Sequence, residues 1–375
     1  MYSESFAPGP PGYPSVAVRE EGMREGMQIE DASISVDDKV RLLDALSKTG
    51  LRRIVVGSFV SPKWTPQMAQ IDEVVNRFEP VGGIAYSALA LNARGVERRA
   101  ALTPPLSPSD EPARTFAHLC DVFAQRNTNR TQVQEIASWS ATISAALESG
   151  HREATVGIGA AWGSNWLGRF AHDARMDLIS SQIEAWGAAG IEVTRVRMAD
   201  PMGWNLPHLV AEDLAAISER WPGINTFDLH LHNTRGTVAA SIYAALQALD
   251  SRHRLILDSS IGGMAGCPYG GNGRAASLFP TEDLIYLLEG LGFETGVDLD
   301  SLIEAVILAE EVVGHRLFGH VSKAGGPPTG SALYPMDLPF IETLDEAQHF
   351  RIGPSAYEGC MSPWKVQIVS EARQT

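Results

Sequence analysis

The sequence predicts an α/β protein, a (β/α)8 TIM barrel with a C-terminal extension. Eight strand-like segments occur in order between residues 16 and 260, and a helical pattern follows each of them. Strict alternation of strands and helices implies a parallel sheet, and eight units over roughly 280 residues suit a closed barrel better than an open, doubly wound sheet. No GxGxxG pattern follows the first strand, which argues against a dinucleotide-binding fold.

The predicted elements are separated by recognisable start and stop signals. The first strand is expected over 16–18, and Ser35 opens the first helix with Asp38 in capping-box register; Gly50 ends it. The residues that this helix should bury at helical spacing are Val40, Leu43 and Leu46. The remaining strands are expected over 52–59, 82–90, 113–124, 154–162, 191–198, 225–232 and 254–260. The remaining helices are expected over 71–78, 94–101, 131–148, 173–188, after Leu206, over 237–249 and over 281–291.

The chain divides into three predicted regions. Residues 1–15 are rich in Pro, Gly and Ser, so we expect a flexible N-terminal tail. Residues 16–295 form the predicted barrel, which we expect to be the catalytic domain. Residues 296–375 begin with a helical pattern over 299–313 and continue with prolines and aromatic residues, which are not typical of a linker. We expect this extension to act as a lid over the barrel or as an interface.

Composition excludes several classes of partner. The net charge is −15 and no cluster of Lys and Arg stands out, so we expect no nucleic-acid binding. The N-terminus lacks the basic and apolar parts of a secretory signal, and no apolar run approaches the ~20 residues of a membrane span. The three cysteines, Cys120, Cys267 and Cys360, form no CxxC pair, which indicates a reducing compartment. We therefore expect a cytoplasmic protein, and we expect it to be a homo-oligomer.

The stretch FDLHLHNTRG, residues 227–236, contains half of a candidate metal site. Apolar residues alternate there with Asp228, His230 and His232, which is the periodicity of a strand. His230 and His232 should therefore point to the same face just before the strand ends. Neutral imidazole is the commonest protein ligand for a transition metal. A chance HxH, with one histidine in a core or on the surface, is the competing interpretation.

Other reactive residues follow predicted strands, where a barrel of this class places its active site. Arg24 and Glu25 follow the first strand, Asp200 follows the sixth, and Asp258 and Cys267 follow the eighth. For Asp200, a loop or helix-capping role is as good an interpretation as a catalytic one. A buried inert thiol is the alternative for Cys267. Its glycine-rich surroundings, IGGMAGCPYGGNG, favour a loop that closes over a ligand.

Several of these stretches together resemble one enzyme family. REGMQIE, GSFVSPKWTPQM, DPMG, HLHNTRG and GMAGCPYGG occur in order within residues 16–295, and they are similar to motifs of the 3-hydroxy-3-methylglutaryl-CoA lyase family in the DRE-TIM metallolyase superfamily. The resemblance implies a (β/α)8 barrel with a divalent ion at its C-terminal mouth. It also implies a retro-Claisen reaction that splits a 3-hydroxyacyl-CoA into acetyl-CoA and a keto acid.

The resemblance also implies roles for individual residues. The implied metal ligands are Glu25, His230, His232 and Asn272, and the implied catalytic residues are Arg24, Asp200 and Cys267. Arg24 would stabilise the enolate of acetyl-CoA, and the other two catalytic residues would transfer protons. The implied ion is Mg²⁺ or Mn²⁺, with Co²⁺ and Zn²⁺ as alternatives, because mixed imidazole and carboxylate ligands suit all four. The implied substrate is an acyl-CoA.

Two departures from the family pattern concern charged groups near the expected site. Glu25 stands where the family has Asp, so the carboxylate is one methylene longer. Val55 stands where the family has a Glu that helps to hold the active-site arginine. Glu20 or Glu21 is a candidate to compensate for this loss. Both departures bear on proton handling and on the choice of substrate.

A third departure concerns pocket size, since Trp162 and Trp166 lie where the family has a second cysteine. Two tryptophans near the rim favour a larger apolar pocket and a substrate other than 3-hydroxy-3-methylglutaryl-CoA. Beside the lyase, three readings stay open on the sequence. They are a Claisen-condensing acyltransferase of the 2-isopropylmalate synthase type, a 2-His-1-carboxylate iron oxygenase, and a non-catalytic barrel.

Overall fold

The strands form one eight-stranded sheet. The computed structural model describes residues 6–90, 93–108, 111–270, 278–330 and 333. The strands are β1 (Ser15–Glu20), β2 (Arg53–Ser58), β3 (Ala85–Leu89), β4 (Ala113–His118), β5 (Glu153–Gly159), β6 (Glu192–Asp200), β7 (Thr226–Leu231) and β8 (Arg254–Ser259). Their order is β3-β2-β1-β8-β7-β6-β5-β4 and every pairing is parallel. This order runs once around a circle, as in a (β/α)8 barrel, and confirms the predicted fold class.

Helices follow the strands as predicted. They are α1 (Val36–Ser47), α2 (Ile71–Arg77), α3 (Ala93–Ala101), α4 (Asp121–Thr128), α5 (Gln132–Ala137), α6 (Trp139–Glu148), α7 (His172–Ala188), α8 (Pro207–Arg220), α9 (Val238–Ala248), α10 (Thr281–Gly290), α11 (Leu299–Val313) and α12 (Val321–Ala324). The predicted cap of α1 is confirmed, because Ser35 Oγ accepts the Asp38 amide at 3.1 Å. Leu43 and Leu46 are fully buried, whereas Val40 is only half-buried. No helix in the described ranges is both long and apolar enough to cross a bilayer.

Two predicted boundaries were wrong, and local side-chain hydrogen bonds explain both. The strand expected over 113–124 ends at His118, because Cys120 caps α4 and its sulfur accepts the Phe123 amide at 3.4 Å. The helix expected over 131–148 is divided at Ser138, which ends α5 and begins α6. The Ser138 hydroxyl donates to the Glu135 carbonyl at 2.6 Å, a local bond that competes with continuous helix.

The apolar core lies between the sheet and the helices, while the barrel interior is partly polar. Along β7, Phe227, Leu229 and Leu231 belong to an apolar cluster with residues of α7, α8 and α9. A second cluster joins β2 to α1 and α11. The alternate residues of β7, Asp228 and His230, are also buried but form polar contacts inside the barrel. The predicted alternation of this strand is therefore confirmed, and it delivers the functional residues to the interior.

Residues just before and just after the predicted barrel range, 16–295, also pack against it. The described part of the predicted tail, residues 6–15, pairs Ala7 with Val16, and the Tyr13 ring contacts the Phe293 ring edge-on at 5.8 Å. The helix α11, which the sequence assigned to the extension, shares a core with α1. The chain divides into two compact units, Met1–Gly319 and His320–Thr375. The segment 334–375, most of the predicted lid or interface, lies outside the described residues.

Candidate metal and active site

A π-helical turn over Gly22–Gly26 places Arg24 and Glu25 directly after β1. Close packing requires its glycines. A Cβ on Gly22 would lie 2.6 Å from Glu20 Oε1, and a Cβ on Gly26 would lie 2.7 Å from Met264 Cβ. The turn is therefore wedged against the loop that follows β8. π-helical turns occur frequently at functional sites, and this one directs a guanidinium and a carboxylate toward the end of β7.

Glu25, His230 and His232 converge as the sequence predicted. Glu25 Oε1 lies 2.9 Å from His232 Nε2 and 3.4 Å from His230 Nε2, and the two Nε2 atoms are 3.3 Å apart. All three residues are buried, with 8%, 7% and 1% exposure. Within the described ranges, they are the one group of three potential ligands whose donor atoms all lie within 4.8 Å of one another.

The chemistry of this donor set fits a divalent ion. Ligand atoms bound at ~2.1 Å to one ion lie about 3.0–3.4 Å apart, which matches the observed spacing. His230 Nδ1 contacts Asp258 Oδ2 at 2.8 Å, so Nδ1 carries the proton and Nε2 can offer a lone pair to a metal. The buried Nδ1 of His232 has no partner within the described structure. Asn272, the fourth implied ligand, lies outside the described residues.

Charges within the site shift the pKa values of its members. Although burial opposes ionisation, His230 and Arg24 hold the pKa of Glu25 well below its usual range. Burial also disfavours protonated His230, but the carboxylates of Glu25 and Asp258 raise its pKa to about 9. In the metal-free site His230 is therefore protonated at neutral pH, and a divalent cation would supply positive charge in place of that proton.

Arg24 is held by carboxylates from its own turn. Its Nε donates to Glu21 Oε2 at 2.8 Å, and its Nη1 lies 2.9 Å from Glu25 Oε2. Val55 is a buried apolar residue of β2, as the sequence indicates. Of the two candidates to compensate for it, Glu21 contacts Arg24. Glu20 instead accepts the backbone amides of Gly22 and Ile261 at 2.7 and 2.9 Å, so it supports the loop backbone.

Cys267 lies near the metal-ligand candidates, and burial controls the pKa of its thiol. Burial raises the pKa of the thiol to about 11, and the charges of Glu25 and Asp200 add to this effect. In this structure the thiol is 8% exposed and packs with Phe123 and Met202. Cys267 is therefore a protonated thiol at neutral pH.

Asp200 ends β6, and both of its carboxylate oxygens accept hydrogen bonds from the following loop. Oδ1 accepts the Trp204 amide at 3.0 Å, and Oδ2 accepts the backbone and side-chain nitrogens of Asn205 at 2.6 and 2.8 Å. Burial raises the pKa of this carboxyl, while these hydrogen bonds lower it. These hydrogen bonds hold the loop after β6 in place, which is the structural role that the sequence left open for Asp200. Asn205 also donates to the carbonyl of His232 at 3.2 Å, so Asp200 lies beside that histidine.

The two rim tryptophans have different environments. Trp162 is fully buried and donates its indole N–H to Asp213 Oδ2 at 2.8 Å, so it faces α8 and the prediction that it lines the mouth was wrong. Trp166 is 38% exposed, and its ring lies 5.2 Å from the ring of Tyr269 in the loop that carries Cys267. The Phe123 ring also contacts Tyr269, edge-on at 6.0 Å between ring centroids. These three rings form an aromatic wall beside the thiol.

Several polar residues beside the site were not predicted from the sequence. Arg19 and Arg197 lie inside the barrel, and each of them contacts both Asp228 and Asp258. Asp258 belongs to β8 rather than to the loop after it. The sequence did contain a signal for these buried ion pairs, because Arg19 and Arg197 are charged residues within segments that otherwise look like buried strands. A charge at an inward strand position needs a partner of opposite sign.

Comparison with known proteins agrees with the site. The HMGL-like family model matches residues 15–308. A 3-hydroxy-3-isohexenylglutaryl-CoA/hydroxymethylglutaryl-CoA lyase from Pseudomonas aeruginosa is 34% identical over 324 residues, which cover 85% of this chain and 97% of that protein. The mitochondrial hydroxymethylglutaryl-CoA lyase of Gallus gallus is 31% identical over 315 residues, covering 82% and 97%.

Solved structures of lyases share the fold. The HMG-CoA lyase of Bacillus subtilis superposes with a TM-score of 0.69 at 28% identity, covering 84% of this chain and 99% of that one. An HMG-CoA lyase from Acinetobacter baumannii in complex with coenzyme A and 3-methylmalate gives 0.68 at 27% identity, covering 85% and 97%. With a family match over most of its length and these full-length relatives, the chain belongs to the HMGL-like family, that of the hydroxymethylglutaryl-CoA lyases.

Proposed function

We propose that this protein is a metal-dependent carbon–carbon lyase that splits a 3-hydroxyacyl-CoA into acetyl-CoA and a keto product. The observation that carries the proposal is the convergence of Glu25, His230 and His232 beside Arg24 at the C-terminal ends of β1 and β7. Active sites of this barrel class lie at that end. The relatives described above are lyases, which supports this choice over a condensing acyltransferase, an iron oxygenase or a non-catalytic barrel.

Glu25, His230 and His232 would hold the ion. We expect Mg²⁺ or Mn²⁺, and Co²⁺ or Zn²⁺ also suit two imidazoles and a carboxylate. When bound, the ion acts as a Lewis acid that lowers the pKa of the substrate hydroxyl and orients the substrate. Glu25 bears one carboxylate oxygen toward the histidines and the other toward Arg24, so the ligand and the guanidinium are fixed relative to each other.

The remaining steps belong to side chains of this chain. Asp200 accepts the proton of the substrate hydroxyl, the bond between the substrate's second and third carbons breaks, and its electron pair forms the enolate of acetyl-CoA. The Arg24 guanidinium stabilises the enolate oxygen, whose charge develops in the transition state. The Cys267 thiol then donates its proton to the enolate carbon. The raised pKa of Cys267 supports an acid role, because the group is protonated at neutral pH.

The substituent on the third carbon is, in this proposal, larger than methyl and apolar. The aromatic wall of Phe123, Trp166 and Tyr269 supports this substrate class, since it offers apolar surface beside the thiol. The Pseudomonas aeruginosa relative bears a name that includes an isohexenyl substrate, which also supports it. Trp166→Ala should lower kcat/KM for long-chain substrates about tenfold and leave the methyl substrate nearly unchanged, because a few lost methylene contacts are worth ~1–3 kcal/mol.

A substrate screen tests the reaction class. The protein is incubated with 3-hydroxy-3-methylglutaryl-CoA and with analogues that have longer C3 chains, in Mg²⁺ or Mn²⁺, and acetyl-CoA release is measured. We expect release that depends on the ion and that is lost in His232→Ala. Two results would contradict the proposal: equal acetyl-CoA release by the wild-type protein and His232→Ala, or no release by the wild-type protein with any substrate.

A further inference from the structure

Four charged side chains close a ring inside the barrel, which we name the charge ring: Arg19, Arg197, Asp228 and Asp258. Arg197 Nη1 lies 2.5 Å from Asp228 Oδ1, and its Nη2 lies 2.6 Å from Asp258 Oδ2. Arg19 Nη1 completes the ring, at 2.9 Å from Asp258 Oδ1 and 3.3 Å from Asp228 Oδ2. The parallel register places these residues in facing pairs, Arg19 opposite Asp258 and Arg197 opposite Asp228.

The ring is buried, and each of its charges is paired with charges of opposite sign. The side chains of Arg19, Arg197, Asp228 and Asp258 are 7%, 11%, 4% and 0% exposed. Barrel interiors of this class are usually filled by branched apolar residues. Apolar replacements of a buried ion-pair cluster are often as stable as the charges. Stability alone therefore gives no physical reason for four charges at this level of the barrel.

One oxygen atom joins the charge ring to the metal-site candidates. Asp258 Oδ2 accepts from Arg197 Nη2 and also from His230 Nδ1, at 2.6 and 2.8 Å. Its other oxygen accepts from Arg19. Both oxygens of Asp258 are thus fixed by guanidinium groups on two different strands, β1 and β6. The carboxylate cannot rotate without losing one of these contacts.

We infer that Arg19 and Arg197 are positioning residues that orient the metal ligand His230 through Asp258. The two guanidinium groups hold the carboxylate in the plane where it accepts the Nδ1 proton of His230. That hydrogen bond fixes the imidazole ring and leaves its Nε2 directed at Glu25 and His232. The inference rests on the proposed metal-dependent function, because it assigns a purpose to the orientation of a metal ligand.

Arg197→Lys tests the inference, since Lys keeps the charge but cannot bridge Asp228 and Asp258 with a planar fork. Two measurements are made on the full chain: Mn²⁺ affinity by electron paramagnetic resonance, and the hydrogen-bonded Nδ1–H resonance of His230 in ¹⁵N-histidine-labelled, metal-free protein. We expect a ~10–100-fold loss of Mn²⁺ affinity, the usual effect of losing an outer-shell contact. We also expect the Nδ1–H resonance to disappear through faster exchange.

The matched control is Arg175→Lys. Arg175 is also buried; its Nη2 donates to Asp213 Oδ1 at 2.9 Å and its Nε lies 2.6 Å from Asp213 Oδ2, a carboxylate outside the charge ring. It should lose comparable stability yet keep the Mn²⁺ affinity and the His230 resonance. If Arg197→Lys does not fold, the double variant Arg197→Met/Asp228→Leu replaces one ion pair with apolar groups and leaves no unpaired charge. The same two losses are expected of it.

The outcomes separate this inference from the proposed function. Unchanged affinity and an unchanged His230 resonance in the folded Arg197 variant would overturn the positioning role. Losses equal to those of Arg175→Lys would do the same, because they would reflect general destabilisation. If the wild-type protein shows the protected Nδ1–H resonance but binds no Mn²⁺, the metal-dependent function fails. In that case, the effect of the charge ring on His230 would be tested only by comparing the His230 Nδ1–H resonance in the wild-type protein and in the Arg197 variant.

Discussion

The side-chain amide of Asn165 donates a 2.6 Å hydrogen bond to the carbonyl of Tyr269. This bond ties the loop after β5 to the glycine-rich loop that carries Cys267. Asn165 is itself fixed, because its Oδ1 accepts the indole N–H of Trp204 at 3.0 Å. The Trp166 ring adds a contact with Tyr269 at 5.2 Å. The position of the thiol is therefore set by a segment more than 100 residues away in sequence.

Asn165→Ala should expose the thiol. Loss of one hydrogen bond is worth ~1 kcal/mol, which increases the open fraction of the loop about fivefold. We expect iodoacetamide to modify Cys267 correspondingly faster, as measured by mass spectrometry of the labelled peptide. The fully buried Cys120 serves as an internal reference, and Asn76→Ala, on the exposed face of α2, is the control variant. Equal labelling of Cys267 in both variants would contradict the role of this bond.

His232→Ala should abolish tight binding of a divalent ion. The variant removes one of the three converging ligand candidates. His232 Nε2 lies closer to Glu25 Oε1 than His230 Nε2 does, at 2.9 against 3.4 Å. We expect the Mn²⁺ dissociation constant to rise by about 100-fold or more, measured by calorimetry, since one of few direct ligands is lost. His208→Ala, an exposed histidine at the start of α8, should bind Mn²⁺ normally. Retention of wild-type affinity by the His232 variant would rule out this ligand set.

Arg24→Lys should impair the reaction rather than the fold. The Arg24 guanidinium contacts Glu21 and Glu25 through different nitrogens, an arrangement that an ammonium group cannot reproduce. We expect kcat to fall by roughly 100-fold, the usual cost of losing a donor to a developing oxyanion. The unfolding midpoint and Mn²⁺ affinity should change little. The exposed Arg130→Lys is the control. A normal kcat for Arg24→Lys would remove this residue from the mechanism.

Glu20→Gln should change how stability depends on pH. Burial raises the pKa of Glu20 from 4.5 to about 7, although its hydrogen bonds with Thr281, Ile261 and Gly22 lower it. The folded state therefore binds this proton more tightly than the unfolded state does. The stability contributed by protonated Glu20 is full below pH 4.5 and is lost as the pH rises to about 7. Gln mimics the protonated acid at every pH.

The measurement is the free energy of urea unfolding at pH 5, 6.5 and 8. Wild-type protein should lose stability relative to Glu20→Gln over this range, by an amount on the order of 1–3 kcal/mol. The control is Glu148→Gln, an exposed residue at the end of α6, whose difference from wild type should not vary with pH. If the difference in unfolding free energy between Glu20→Gln and wild type did not change with pH, Glu20 would have the same pKa in the folded and unfolded states, which would contradict the prediction.

The metal-site candidates could be predicted because their positions depend on simple periodicities. An HxH pattern in a strand fixes which face both imidazoles share, and the barrel topology brings strand ends to one rim. The partners of these residues could not be predicted in the same way. Arg19 meets Asp258, and Arg197 meets Asp228, only because β1 lies beside β8 and β6 lies beside β7. That register is a property of the assembled sheet, which the separate strand patterns do not contain.

Side-chain direction and helix breaks were also beyond sequence patterns. Trp162 faces the helices because Asp213, 51 residues later, accepts its indole N–H. The residues around Ser138 continue a helical pattern, yet the chain bends where its hydroxyl bonds to the Glu135 carbonyl. The thiol of Cys267 is buried among side chains from the segments that follow β4, β5 and β6, and this burial raises its pKa. Each outcome depends on a contact between distant segments.

Truncation after Gly319 should leave a folded barrel with impaired activity. The larger compact unit ends at this residue, and its two apolar clusters, including α1 and α11, are built from residues that precede it. We expect the truncated chain to unfold cooperatively within a few degrees of the full chain and to bind Mn²⁺ with equal affinity. We expect kcat/KM to fall at least tenfold if residues 320–375 act as a lid or an interface, as their prolines and aromatic residues favour. Full activity of a folded, truncated protein would contradict that role.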